Sequence, residues 1–343
     1  MVFEALWRLT VRLGVIGYGL QLLEMIREQR RYRKLAFGED SLVLGVELGG
    51  TTCVAALARL SDPTKILERY EVPTVDPDTT LGQIVEWAWE KRGKIKAIGI
   101  AAFGPVQLEK SKPDYGCIMK STPKVAFRGA DVVGKFKDFD VPMHFETDVN
   151  APAYGELTHG GHEDSSSIVY VTVGTGVGIG AIANGRPVHG LMHMEGGHYN
   201  PRRKAGDDYP GWSDVHPDSL ESMISSRAIA ERAKVDISEL KDLADDNPVW
   251  ETIAYYMAEM CATITYLISP HVIVLGGGIM NREILLPMIR EKTTEILNGY
   301  VNVPRVTEEM DQYICRSVFS SNSGIVGALS LGSLALEEAR DGN

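Results

Sequence analysis

The chain has 343 residues, room for two ordinary domains, with 44% hydrophobic and 24% charged residues. That balance excludes a disordered or collagen-like chain and fits a globular protein with a sizeable core. A net charge of −11 argues against nucleic acid as the main partner, and it leaves phosphate binding to local backbone groups rather than to a basic field.

The charge is uneven. The first 37 residues carry seven basic and three acidic side chains, and the rest is acidic, which marks residues 1–40 as an N-terminal extension. Within it, Leu13 to Leu23 is an uncharged apolar run, too short to span a bilayer, which takes about 20 residues. A mitochondrial presequence, an amphipathic docking segment and a helix packed on the protein itself all remain open for this stretch. Cys53, Cys117, Cys261 and Cys315 are scattered singly, the pattern of reduced thiols.

A strand signal opens at Ser41. Residues 43–58 read as strand, Gly/Thr turn, strand, a hairpin with a glycine-rich loop. Ile66 to Val72 supplies a third strand, residues 81–92 a helix, and Ile95 to Ala101 a buried strand ending at Phe103-Gly104-Pro105. Val141 to Phe145 is a strand ending at Glu146-Thr147-Asp148. The pattern then restarts: residues 168–183 repeat the hairpin, with Gly174 falling on Gly49. Such a duplication predicts two similar α/β domains whose glycine loops face one cleft. A long polar stretch follows to about Ser219, then helices over 219–233 and 249–268, a strand over His271 to Leu275 running into Gly276-Gly277-Gly278, and helices over 281–297 and 324–338.

Five constellations carry chemistry. Gly49-Gly50-Thr51 and Gly174-Thr175-Gly176 are turns whose amides can converge on an anion. Each alone is equally a plain tight turn, but two in matched hairpins suit a nucleotide cleft. Neither is a Walker loop, and a strand rather than a helix follows each, which disfavours a Rossmann site. Asp148, at a strand end, suits a base that takes a hydroxyl proton, or else a helix N-cap. The polar run from His193 to His198, with His216 and Glu221 downstream, suits sugar hydroxyls or zinc. Gly276-Gly277-Gly278 allows a flat base to lie close to the backbone.

With these residues in view, the sequence resembles the sugar kinases of the ROK (repressor/ORF/kinase) family, within the actin-like ATPase superfamily, and most of all its bacterial-type fructokinases. The segments VELGGTT, GIAAFGPV, STPK, ETDVNAPAYGE, TVGTGVGIGAIANGRPVHG, EGGH, VIVLGGGIM and SSNSGIVGAL carry the likeness, from about Ser41 to Leu336. The resemblance implies two actin-like (ribonuclease H-like) α/β domains, 41–157 and 158–324, with a helix near 325–340 packing back on the first and an interdomain nucleotide and sugar cleft. It implies ATP phosphates on Gly49, Gly50, Thr51, Gly174, Thr175 and Gly176, adenosine beside Gly276, Gly277 and Gly278, and Mg²⁺ positioned through Glu47. It further implies Asp148 as catalytic base and Gly104, Pro105, Glu195, His198 and Glu221 at the sugar.

The sequence departs from the family pattern at a few places. Members of the family usually hold a zinc through a His and three further residues, mostly Cys. Here His198 and His216 remain, but Ser213 and Ser219 stand in place of cysteines, so no zinc is expected. Thr147 stands where glucokinases carry Asn, and Thr52 where many members have Lys. The expectation is an ATP- and Mg²⁺-dependent hexose kinase, fructose its substrate, cytoplasmic and homodimeric. Three alternatives stand beside it: another hexose such as mannose or glucose, an impaired subunit docked through residues 1–40, and a transcriptional repressor. The repressor is disfavoured because the N-terminus has no helix-turn-helix of adequate length.

Overall fold

The computed structural model describes residues 38 and 40–341. The readings placed on residues 1–37, among them the Leu13 to Leu23 run and a presequence, lie outside the described residues.

Two five-stranded sheets organise the chain, and they share one topology. In the first, β1 (Leu42–Leu48), β2 (Thr52–Arg59) and β3 (Asp62–Pro73) form an antiparallel meander. Next, β4 (Ile95–Ala102) and β5 (Met143–Thr147) add in parallel on the other side of β1, giving the order β3-β2-β1-β4-β5. In the second, β6 (Ile168–Val173), β7 (Val177–Ala183) and β8 (Arg186–Pro187) form the meander, and β9 (Val272–Gly276) and β10 (Ile314–Arg316) add beside β6. The repeat read from the two hairpins is therefore a repeat of the whole sheet.

The central strands are apolar on both faces because helices cover both. On the first sheet, α1 (Pro77–Trp89) lies on one face; Asp76 caps it by accepting from the Thr79 amide, and proline occupies its first turn. The other face takes the last helix of the chain, here α7 (Ser323–Asp341), through Ile325, Ala328, Leu329 and Leu331. A Cβ at Gly99 in β4 would lie 1.9 Å from the Ala328 carbonyl oxygen, so only glycine lets α7 sit this close. On the second sheet, α5 (Val249–Leu267) is buried on most sides through Tyr256, Met257, Met260 and Cys261, with α6 (Leu285–Leu297) beside it.

Between the sheets runs α2 (Asn150–His159), which touches β6 and β7 on one side and α7 on the other. The sequence gives no periodic signal for it. Seven of its ten residues, among them Asn150 and Glu156, are buried, so there is no polar stripe to set against an apolar one.

The helix expected over 219–233 is two: α3 (Leu220–Ile224) and α4 (Ser226–Ala233). Ser225 between them is extended, and its hydroxyl accepts from the Trp212 indole at 2.8 Å. The helix expected from 281 starts at Leu285, after a 3₁₀ turn over Gly278–Asn281 and an extended Arg282.

Candidate active site

The first glycine loop is the β1–β2 turn. Thr74, just beyond β3, fixes it twice: its hydroxyl donates to the Gly49 carbonyl at 2.7 Å and its amide to the Thr51 carbonyl at 2.9 Å. Gly50 is left exposed on the cleft. The second loop, between β6 and β7, is held from the helices after the polar stretch. The Ser226 amide donates to the Gly174 carbonyl at 2.7 Å, and the Val177 amide to Glu221 Oε2 at 2.9 Å. The third, after β9, needs glycine at 277. Its φ is +85°, and a Cβ there would lie 2.3 Å from the Val173 carbonyl oxygen.

A cavity of about 600 Å³ opens between the sheets. Gly50, Gly104, Asp148 and Val149 reach it from the first sheet. Gly174 to Ile179, Glu195, Glu221, Gly277 and Gly278 reach it from the second. A smaller cavity of about 200 Å³ adjoins it, with Glu47 facing Gly276, Gly277 and Gly278 and the start of α7 at Ser323 and Gly324. Gly49, Thr51 and Pro105 line neither cavity.

Asp148 continues β5 past its end, its amide donating to the Ala102 carbonyl at 2.9 Å. It is not the cap of α2. Thr147 does that work, its hydroxyl accepting from the Asn150 amide at 3.0 Å. Buried Glu146 accepts from the Thr147 amide and from Asn150 Nδ2, each at 3.0 Å, and Asn150 Oδ1 accepts from the Ala181 amide of β7 at 3.0 Å. His189 Nε2 lies 2.6 Å from the other Glu146 oxygen, and that carboxylate pushes the imidazole pKa up. The backbone on both sides of Asp148 is thereby fixed to both sheets, and its carboxyl is free to face the cavity.

Burial pushes the Asp148 carboxyl up to about 7, and the negative charges of Glu47 and Glu195 push the same way. Burial likewise takes Glu47 to about 7; Arg69 opposes the shift and Glu71 adds to it. A base poised near neutrality is what proton abstraction from a hydroxyl needs.

At the far end of the cavity, the Thr122 hydroxyl donates to the Gly104 carbonyl at 3.0 Å. Buried His193 bridges the sheets: its Nε2 accepts from the Val106 amide at 3.0 Å, and its Nδ1 lies 3.2 Å from the Met194 carbonyl. Nδ1 must then carry the proton. The polar run showed His193, but not its partner 87 residues away. Glu195 stands exposed in the cleft. Glu221 has committed one oxygen to the second glycine loop. His198 lies outside both cavity linings, its ring edge-on to His216 with centroids 5.0 Å apart.

The donor set does not fit a zinc ion. Ser213 Oγ accepts from the His216 amide at 3.1 Å, and Ser219 Oγ from the Ser222 amide at 3.2 Å. Both hydroxyls serve as backbone caps, and neutral hydroxyls are poor partners for a metal that favours thiolate and imidazole. Among the described residues no group of three or more His, Cys, Asp or Glu is placed to hold a metal. Glu47 sits on the wall of the smaller cavity, which also carries Arg316, and Arg69 is the positive charge that opposes the rise of its pKa.

The ROK family model matches residues 43–334. The chain belongs to the ROK family. Its relatives include a fructokinase of Pediococcus pentosaceus, 36% identical over 87% of this chain and 100% of that protein. Among solved structures, the ROK hexokinase of Thermus thermophilus superposes with a TM-score of 0.68 at 24% identity, over 87% of this chain and 99% of the other. A ROK glucokinase from Streptomyces griseus, in complex with glucose and AMPPNP, gives 0.65 at 20% identity, over 86% and 100%. The fold is that of the ROK kinases, two sheets with an actin-like repeat. No helix among the described residues is long and apolar enough to cross a membrane.

Proposed function

We propose that this ROK protein is a cytoplasmic fructokinase, transferring the γ-phosphoryl group of ATP to the 6-hydroxyl of D-fructose to give fructose 6-phosphate and ADP. The observation that carries the reading is the position of Asp148. It lies at the end of β5 on a cavity that also exposes both glycine loops and Glu195, with its carboxyl held near neutrality. Fructose as the acceptor is supported by fructokinases among the relatives, at 36% identity for that of Pediococcus pentosaceus, and by Thr147 in the ETDVN segment. Thr147 lines the cavity, and its hydroxyl accepts from the Asn150 amide.

In this reading Glu195 and the Gly104 turn orient the sugar, and Asp148 accepts the proton of the attacking hydroxyl. The amides of the two glycine loops receive the phosphates, and Gly277 and Gly278 lie along the adenosine. Mg²⁺, positioned through Glu47, would offset charge on the β- and γ-phosphates. Closure of the sheets would exclude water as a competing acceptor.

A coupled ADP-release assay across free fructose, mannose, glucose and galactose tests the proposal. Turnover is expected on fructose, with the highest kcat/KM of the panel. Absence of turnover on every hexose, from a folded protein that binds ATP, would overturn it in favour of a docked, non-catalytic subunit.

A further inference from the structure

The larger cavity has a charge problem. The titratable carboxyls on it are Asp148, Glu195 and Glu221, and none of the described residues lining it is a lysine or arginine. Glu47 adds a fourth carboxyl next door, where Arg316 stands on the same wall, on the side of Gly276 to Gly278 rather than at the first glycine loop. A nucleoside triphosphate brings several more negative charges, and oriented amides supply only partial ones. The glycine loop itself carries Thr51-Thr52 after Gly50, with no cation.

One cation does reach this loop, from a different element. Lys124 follows Thr122 in the turn that Thr122 anchors to the Gly104 carbonyl at 3.0 Å, and the Lys124 amide itself lies 3.4 Å from the Thr122 hydroxyl. The Lys124 side chain crosses to the first glycine loop, where its ammonium donates to the Gly50 carbonyl. Its charge is felt at Cys53, behind the loop. An ammonium has three donors, and no carboxylate among the described residues pairs with Lys124 in this acidic protein. The turn therefore holds a rotatable positive charge against Gly50, which itself lines the cavity together with Gly104 and Asp148.

We propose that Lys124 is a catalytic residue of the phosphoryl transfer: its ammonium contacts the terminal phosphate of the nucleoside triphosphate bound over Gly50 and stabilises the charge that develops there. The inference rests on the kinase reading above. A tether role, in which Lys124 merely pins the loop through Gly50, makes different predictions, because glutamine keeps an N–H donor and loses the charge.

The test compares Lys124→Gln, Lys124→Met and Lys124→Arg in the full chain, with unchanged thermal unfolding as the control for folding. Gln and Met are expected to lower kcat by about 10²-fold, the usual loss on removing one charge-stabilising donor, and Arg to stay within about tenfold of wild type. Calorimetric affinity for AMPPNP should fall in Gln and Met while affinity for ADP holds, since ADP lacks the terminal phosphate. A Gln variant with near wild-type kcat, or equal losses for AMPPNP and ADP, would overturn the proposal. If the wild-type protein phosphorylates no hexose, the function reading fails, and the AMPPNP-to-ADP comparison alone then decides the role of Lys124.

Discussion

In the proposed reaction, Asp148 accepts the proton of the attacking hydroxyl. Asp148→Asn keeps its size and removes the proton acceptor, so kcat should fall by about 10²–10⁴-fold while calorimetric affinities for fructose and AMPPNP are nearly unchanged. A variant with wild-type turnover would remove Asp148 from the base role. The same carboxyl has a stability signature. Its native pKa is raised to about 7 from an ordinary value of 3.8, so the native state holds the proton more tightly than the unfolded chain does. Stability from this group is then full below about pH 4 and is lost as pH rises through 7. Asp148→Asn, with no ionised form to penalise, should therefore unfold at a higher temperature than wild type at pH 8 in the presence of a chelator, and at nearly the same temperature at pH 4. A flat difference across that range would mean that the native carboxyl is not perturbed.

At the scale of elements, the segment from about 190 to 219 has little regular structure and is pinned by side chains. Its middle is tied to the helices that follow. Asp207 forms a two-pronged pair with Arg232 of α4, at 2.7 and 2.9 Å, and accepts from the Tyr256 hydroxyl of α5. Burial would raise the Asp207 carboxyl, but these hydrogen bonds outweigh it and hold the pKa down to about 2. Arg203 adds Asp218 and the Tyr209 carbonyl. Both side chains of the Asp207–Arg232 pair are 8% exposed, so removing one strands a buried charge, at a cost of about 3–5 kcal/mol. Asp207→Ala should lower stability by that order in urea unfolding at pH 7. A chelator should leave wild-type unfolding unchanged, and elemental analysis should find little zinc. One zinc per chain would contradict a zinc-free segment.

The same scale shows what the sequence makes legible. The two hairpins and the buried strands announce themselves because alternation and glycine turns are local. The partners that build the site are not local. His193 meets Val106, Lys124 meets Gly50 and Asn150 meets Ala181, and no periodicity encodes such pairings. Lys124 lies inside a segment that carried the family likeness, yet its role needs the fold that brings it to the loop. Helix α2 was silent for the opposite reason: burial on nearly every side leaves it no contrast of polarity.

For the whole molecule, the described chain passes between the two sheets through α2 after β5 and again into α7 after β10. Helix α7 closes back on β1 and β4, so the first sheet is completed by the last part of the chain. The positions proposed for the cation, phosphate, sugar, adenosine and proton transfer run from Glu47 to Gly278, and the family match from 43 to 334. Deleting residues 1–37 should therefore leave kcat and both KM values within about twofold. The removed segment carries Arg8, Arg12, Arg27, Arg30, Arg31, Arg33 and Lys34 together with apolar Leu6, Trp7, Leu9, Val11 and Leu13. Apolar surface of that kind is normally covered by something, so its loss should alter oligomeric state, solubility or cellular location, read by analytical ultracentrifugation and fractionation beside the full chain. The kinetic arm is the stricter one. A truncated protein that keeps its cooperative unfolding and its affinity for ATP, yet no longer turns over, would mean that the N-terminal residues reach the cleft itself, and that the catalytic unit of this ROK protein is larger than the part it shares with its relatives.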